Sequence, residues 1–143
     1  MKYKIGIVGS SHAPAEVFTT YIRDIVAPFV GQDGFSIVSG GAKGVDSAAK
    51  IVAEELGVPI KEYLPDYKEH PNWLDAFRAR NQLIAEDSND IFSLALPYTN
   101  QVCVHCKRAG KELTHQKTGG CWTGSMKGKW NVIVCQNKEP NII

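Results

Sequence analysis

The sequence predicts an α/β protein, a three-layer sandwich built on a five-stranded, mainly parallel sheet with a small Cys/His-rich insertion. Three observations carry this. Short apolar runs alternate with stretches of helical periodicity, strand-to-helix junctions are rich in glycine, and 43% of the 143 residues are apolar, enough for one compact core. A single domain over residues 1–143 is expected, with no linker.

The strands come first. Tyr3–Val8 is apolar and ends in Gly9-Ser10-Ser11, Phe35–Ser39 and Ile60–Leu64 follow, and Asp90–Leu96 and Asn131–Cys135 complete the five. Between the first two, Phe18, Ile22, Ile25 and Phe29 recur at helical spacing. Between the second and third, Val45, Ala48, Ala49, Val52, Ala53 and Leu56 form a stripe that Gly57 and Pro59 stop. A third helix covers 77–90, where Leu74, Phe77, Asn81, Ile84 and Ala85 share a face and the amide of Asn81 interrupts the apolar stripe. Strands joined through helices run parallel, and their ligands bind beyond the strand C-terminal ends.

The stretch "IVSGGAKGVDSAAK" (37–50) leads directly from strand to helix. Glycine permits the tight turn, and without side chains the backbone N–H groups at the positive helix end meet an anion. Gly40, Gly41 and Gly44 suit a phosphate, and a side chain at Gly41 would occupy its position. Lys43 adds a charge, and Asp46 either receives a ribose hydroxyl or stabilises the helix start. Neither the Walker pattern nor G-x-G-x-x-G occurs, which disfavours an ATPase and an NAD or FAD enzyme. Arg80 and Asn81 either reach the ligand or brace the glycine loops; otherwise Arg80 is a surface charge and Asn81 a loop cap.

Charge is uneven. Residues 1–102 carry 9 Lys and Arg against 13 Asp and Glu, whereas residues 103–130 carry 6 against 1. The basic segment either meets an anionic partner or is a solvated insertion. It holds Cys103, Cys106, His115 and Cys121 in the spacing C-x2-C-x8-H-x5-C, a tetrahedral zinc set within an insertion at about 98–121. His105 is a rival ligand, and reduced thiols or a redox pair are the alternatives. Metal would order a segment with little core of its own. The clustering of all four cysteines in the last third does not fit a secreted disulfide framework, and no apolar run reaches the length of a membrane span. A cytoplasmic protein without membrane partners is expected.

Taken in order, "GIVGS", "SGGAKGVDSAAKIVAEELGVPI", "RNQLIAEDSNDI" and "KTGGCWTGSMKGKWNVIV" resemble the SLOG superfamily of Rossmann-like nucleotide-binding domains, in its YspA/YpsA-like branch. More distant kinship runs to DprA (Smf) and the LOG phosphoribohydrolases. The resemblance implies a nucleotide pocket formed by Gly9, Ser10, Gly40, Gly41, Gly44, Asp46, Arg80, Asn81, Gly119 and Gly120, to which Lys43, Thr118 and Thr123 add polar groups. LOG enzymes carry P-G-G-x-G-T-x-x-E; here Trp122 stands for the third glycine and Met126 for the glutamate, so their usual chemistry lacks its carboxylate.

The expected function is therefore binding of a small nucleotide-type ligand, as a sensor or carrier with structural zinc, and Lys107, Arg108, Lys111, Lys117, Lys127 and Lys129 near the pocket mouth. An enzyme acting at an N-ribosyl bond is the alternative. Single-stranded nucleic acid, with Trp122 and Trp130 as stacking surfaces, is a weaker one. Assembly into homo-oligomers is compatible with the sequence.

Overall fold

The computed structural model describes residues 2–97, 103–111, 114–128 and 130–136. Five strands, β1 (Tyr3–Gly9), β2 (Phe35–Ser39), β3 (Ile60–Glu62), β4 (Asp90–Ala95) and β5 (Asn131–Val134), form one sheet in the order β3-β2-β1-β4-β5. Every pairing is parallel, so the sheet is wholly rather than mainly parallel. The helices are α1 (Glu16–Val26), α2 (Val45–Leu56), α3 (Trp73–Asp87), α4 (Val104–Arg108) and α5 (Gly119–Lys127).

Central β1 is apolar on both sides because both sides are covered. Ile5 and Ile7 join Phe35, Ile37 and Leu94 in a core against Phe18, Ile22 and Val26 of α1 and the stripe Val45, Ala48, Ala49, Val52 and Ala53 of α2. On the opposite face Val8, Val38 and Ile91 pack with Ile84 and Ala85 of α3, Cys103, Cys106 and Cys121, and Trp130. Helices α1 and α2 thus make one outer layer, and α3, α4 and α5 the other.

Local chemistry sets the ends. α2 starts at Gly44 and stops at Gly57, whose left-handed backbone donates back to Ala53. α3 starts at Asn72, whose Oδ1 accepts from the N–H groups of Leu74 and Asp75. α1 ends at Val26 rather than continuing to Phe29, because Pro28 begins a 3-10 turn over Ala27–Phe29; Val26 is buried, while Ile25 and Phe29 are partly covered. β3 stops two residues short of Leu64, before Pro65. Among the described residues no helix is long and apolar enough to cross a membrane.

At the centre of the sheet β1 is followed by α1 on one face, and β4 by α4 and α5 on the other. This is the switch point at which a doubly wound sheet opens a crevice beyond its strand ends.

Candidate functional site

A cleft of about 510 Å³ lies at that crevice, within the range of small-molecule sites. Turns line part of it: Gly9 and Ser11 at the end of β1, Gly40 to Lys43 after β2, and Gly119 and Gly120 at the start of α5. Apolar groups line it too, Leu64, Pro65 and Tyr67 after β3 and Phe77 of α3, with Leu64 beside Gly41. Arg80, Asn81, Asp46 and Thr123 add polar groups.

The turns are tied to one another. Ser10 donates its N–H to Leu94 O at 2.9 Å and accepts at its carbonyl from Val45 N at 3.0 Å, which joins the β1 turn to the first residue of α2. Ser10 is 3% exposed and serves this joint rather than the cleft wall. Gly44 sits at φ 73°, and a Cβ there would strike Ser10 O, so only glycine brings α2 so close to β1. Thr118 likewise supports from behind: its Oγ1 accepts from Gly120 N at 3.2 Å and caps α5. Ser10, Gly44 and Thr118 position the turns, whereas Gly9, Gly40, Gly41, Lys43, Asp46, Arg80, Asn81, Gly119, Gly120 and Thr123 line the cleft.

Arg80 is not a surface charge. It is 8% exposed, donates through Nη1 to Gly40 O at 2.7 Å and through Nε to Asn81 Oδ1 at 2.8 Å, and its guanidinium lies 5.3 Å from the Phe77 ring centre. It braces the glycine turn. Asp46 accepts from Ala42 N at 3.2 Å and shares a hydrogen bond with Ser39 Oγ at 3.0 Å. Burial raises its carboxyl above the usual carboxylate range, against the Ala42 N–H, the Arg80 charge and the Ser39 hydroxyl.

The N-terminus of α5, the glycine turn that leads into α2, and the cations Lys43 and Arg80 therefore meet in one cleft, a combination that favours an anionic group, while Gly44 and Ser47 at the start of α2 line a separate groove with His12 and Pro14. Among the described residues Lys43 and Arg80 are the cations of the cleft wall; Lys107, Arg108, Lys111, Lys117 and Lys127 are not part of it. Lys111 lies 4.7 Å from the Trp130 ring centre and donates to Trp130 O, and Lys127 lines a separate groove with Met126. Trp130 is core at 6% exposure, and Lys129 lies outside the described residues.

Sequence patterns did not indicate the apolar part of the wall. Leu64 and Tyr67 are 66% and 53% exposed, large apolar groups left in water beside a strand C-terminal end, which only the fold reveals.

Behind the α5 turn, Cys103, Cys106, His115 and Cys121 are all buried, with their donor atoms within 4.8 Å of one another. Cys106 Sγ lies 3.3 Å from His115 Nε2 and 3.7 Å from Cys121 Sγ, and Cys121 Sγ lies 3.8 Å from His115 Nε2. Tetrahedral zinc with thiolate and imidazole ligands sets neighbouring donors roughly 3.5–3.8 Å apart, so the donor set fits a metal ion. The ring Nδ1 of His115 meets Gln116 O at 2.7 Å. Donating there fixes the proton on Nδ1 and leaves Nε2 free as a ligand. Burial pushes the Cys106 and Cys121 thiols up. A bound cation reverses that preference. His105 stands outside the group, half-buried. The stretches 98–102 and 112–113 of the expected insertion lie outside the described residues.

Residues 1–60, which span β1 to the start of β3, match the family model for DNA recombination-mediator protein A. This part of the chain is similar to that family. Among curated proteins none matches the chain.

Proposed function

We propose that this protein binds a small nucleotide-type ligand in the cleft, as a sensor or carrier, with zinc held structurally by Cys103, Cys106, His115 and Cys121. One observation carries the ligand reading: the N-terminus of α5 and the glycine turn before α2 line one cleft together with Lys43, Arg80 and apolar side chains. A phosphate suits the turns and the cations, and the flat face of a base suits Leu64, Pro65, Tyr67 and Phe77. Similarity of residues 1–60 to DNA recombination-mediator protein A supports a nucleotide-related role. Four protein donors leave the zinc no open position, so its part is to hold structure.

Binding without turnover is favoured by the character of the wall. Among the described residues that line it the carboxylate is Asp46, already engaged by Ala42 and Ser39; Glu62 stands beside Gly41 and pairs with Lys50, while Met126 lies 40% exposed on the separate groove. Glu86 pairs with Gln82, and Asp87 with Lys4 and Tyr63, away from the cleft. Cleavage at an N-ribosyl bond is the second reading, and the raised carboxyl of Asp46 is the observation that favours it.

Nuclear magnetic resonance of the zinc-loaded chain with nucleoside mono-, di- and triphosphates tests both. The expected result is saturable shifts at the amides of 9–11, 40–46 and 119–123 with the nucleotide intact. Release of free base would establish the second reading, and the absence of shifts with every nucleotide would refute the first.

A further inference from the structure

We propose that metal occupancy of the Cys103, Cys106, His115 and Cys121 cluster sets the place of the 118–123 turn on the sheet, and through it the affinity of the cleft for a phosphate-bearing ligand. The first half stands on the cluster alone, and the second rests on the nucleotide reading above.

The two sites share a backbone segment. Cys121 gives its sulfur to the cluster, while Gly119, Gly120 and Thr123 line the cleft. No residue separates Gly120 from Cys121, so a metal that fixes the sulfur also fixes where the Gly120 N–H lies.

The turn is largely buried, but among the described residues few hydrogen bonds tie it to the rest of the fold. Gly120 N to Thr118 Oγ1, Cys121 N to Thr118 O and Thr123 Oγ1 to Gly119 O are all bonds within the turn. Outward anchors are Ser93 Oγ, 3.3 Å from Cys121 Sγ, and the bond from Gln116 N to Leu96 O. Bonds internal to a turn preserve its shape but not its place on the sheet. Its place matters, because a Cβ built on Gly120 would lie 2.7 Å from Ser93 Oγ and 2.8 Å from Gly9 Cα. The turn is pressed against the ends of β4 and β1, and a shift at Cys121 passes directly to the N-terminus of α5. Metal bound to all four donors also ties the turn to α4, whose first residue follows Cys103.

Amide hydrogen exchange on the full chain, zinc-loaded and after removal of zinc by a chelator, tests the first half without any nucleotide. Zinc is expected to slow exchange at least tenfold at both 103–111 and 118–124, while β1 and α2 stay unchanged. Protection confined to 103–111, or failure of the chain to take up zinc, would overturn the proposal. Should the zinc-free chain lose β1 and α2 protection as well, cadmium replaces zinc as the probe. Its longer bonds to sulfur are expected to shift the 119–123 amide resonances, and unchanged resonances would overturn the proposal.

Titration with AMP then tests the second half. Affinity is expected to fall tenfold or more without zinc and to return when zinc is restored, and Cys106→Ser is expected to reproduce the loss while Cys135→Ser does not. Equal AMP affinity with and without zinc would overturn the coupling. If AMP fails to bind even the zinc-loaded chain while zinc protects 118–124, the nucleotide reading fails and the metal-held turn stands.

Discussion

The Arg80 guanidinium of α3 donates through Nη1 to the carbonyl of Gly40 at 2.7 Å, which joins α3 to the turn between β2 and α2 at the cleft wall. A carbonyl in a glycine turn has no helix or strand partner of its own, so this bond completes the turn. Arg80→Ala leaves Gly40 O without its partner and opens a void beside Phe77. The expected cost is about 1–3 kcal/mol of stability together with weaker nucleotide binding. Arg80→Lys is expected to recover little, since one ammonium cannot reach Gly40 O and Asn81 Oδ1 in the fork geometry. Urea unfolding and nucleotide titration of both variants check this; wild-type stability in Arg80→Ala would show that the brace is idle.

Much of this arrangement was legible in the sequence, and the part that was not has a physical cause. Strand positions and the α2 stripe follow from local periodicity, which burial on both sides of a parallel sheet reinforces. The C-x2-C-x8-H-x5-C spacing likewise anticipates the four residues that gather. Periodicity misplaces α3. It puts Leu74, Phe77 and Asn81 on the covered side, whereas α3 buries Ala76, Arg80, Ile84 and Ala85 and leaves Leu74 39% exposed. A buried arginine breaks the apolar pattern, and its acceptor, Gly40 O, lies forty residues away, beyond the reach of any local pattern. The apolar wall is tertiary for the same reason: Leu64 and Tyr67 come to one cleft with Phe77 only in the folded chain.

The adjacent glycines of α5 are expected to respond differently to the same substitution. At Gly120 a Cβ meets Ser93 Oγ at 2.7 Å and Gly9 Cα at 2.8 Å, the latter a backbone atom that cannot yield. Gly120→Ala is expected to cost about 1–3 kcal/mol as overpacking. At Gly119 the nearest atom is Asn81 Nδ2 at 3.8 Å, so Gly119→Ala keeps the fold. Its methyl group stands in the cleft, however, and should lower nucleotide affinity about tenfold. Gly41 is a poorer probe than the sequence suggests, because its backbone sits at φ 69° and a Cβ would meet Glu62 Oε2 at 2.5 Å and Leu64 Cδ2 at 2.6 Å. Thermal melts paired with nucleotide titrations separate these cases, and equal affinity of Gly119→Ala and wild type would remove Gly119 from the ligand site.

Lys43 is exposed at the cleft wall, where its charge costs little desolvation and contributes attraction over a distance. Lys43→Ala is expected to leave the melting temperature unchanged and weaken nucleotide binding several-fold at low salt, with the difference shrinking as salt screens the charge. Titrations at two ionic strengths read this out. A loss that does not diminish with salt would mean that Lys43 makes a short-range contact or shapes the turn.

Stability and binding should separate by pH through a pair at the far end of β1. Lys4 Nζ lies 2.6 Å from Asp87 Oδ1, and Tyr63 donates its hydroxyl to Asp87 Oδ2 at 2.9 Å. Burial alone would raise the Asp87 carboxyl, but the hydrogen bonds from Lys4 and Tyr63 and the charges of Lys4 and Lys61 outweigh it and hold the group below its ordinary range. The folded state therefore keeps its carboxylate where the unfolded chain, with an aspartate near about 3.9, begins to bind a proton. The contribution is full above the unfolded value and is lost as pH falls through the folded one. With the two side chains 31% and 19% exposed, solvent limits it to about 1 kcal/mol. Asp87→Asn should thus be less stable than wild type at neutral pH by that amount, with the gap closing below about pH 4. Because Lys4 pairs at the start of β1 and the cleft opens beyond its end, nucleotide affinity should not change. Urea midpoints from pH 7 to pH 3 measure the gap; one that stays constant through the acid range would show that Asp87 acts through packing rather than charge.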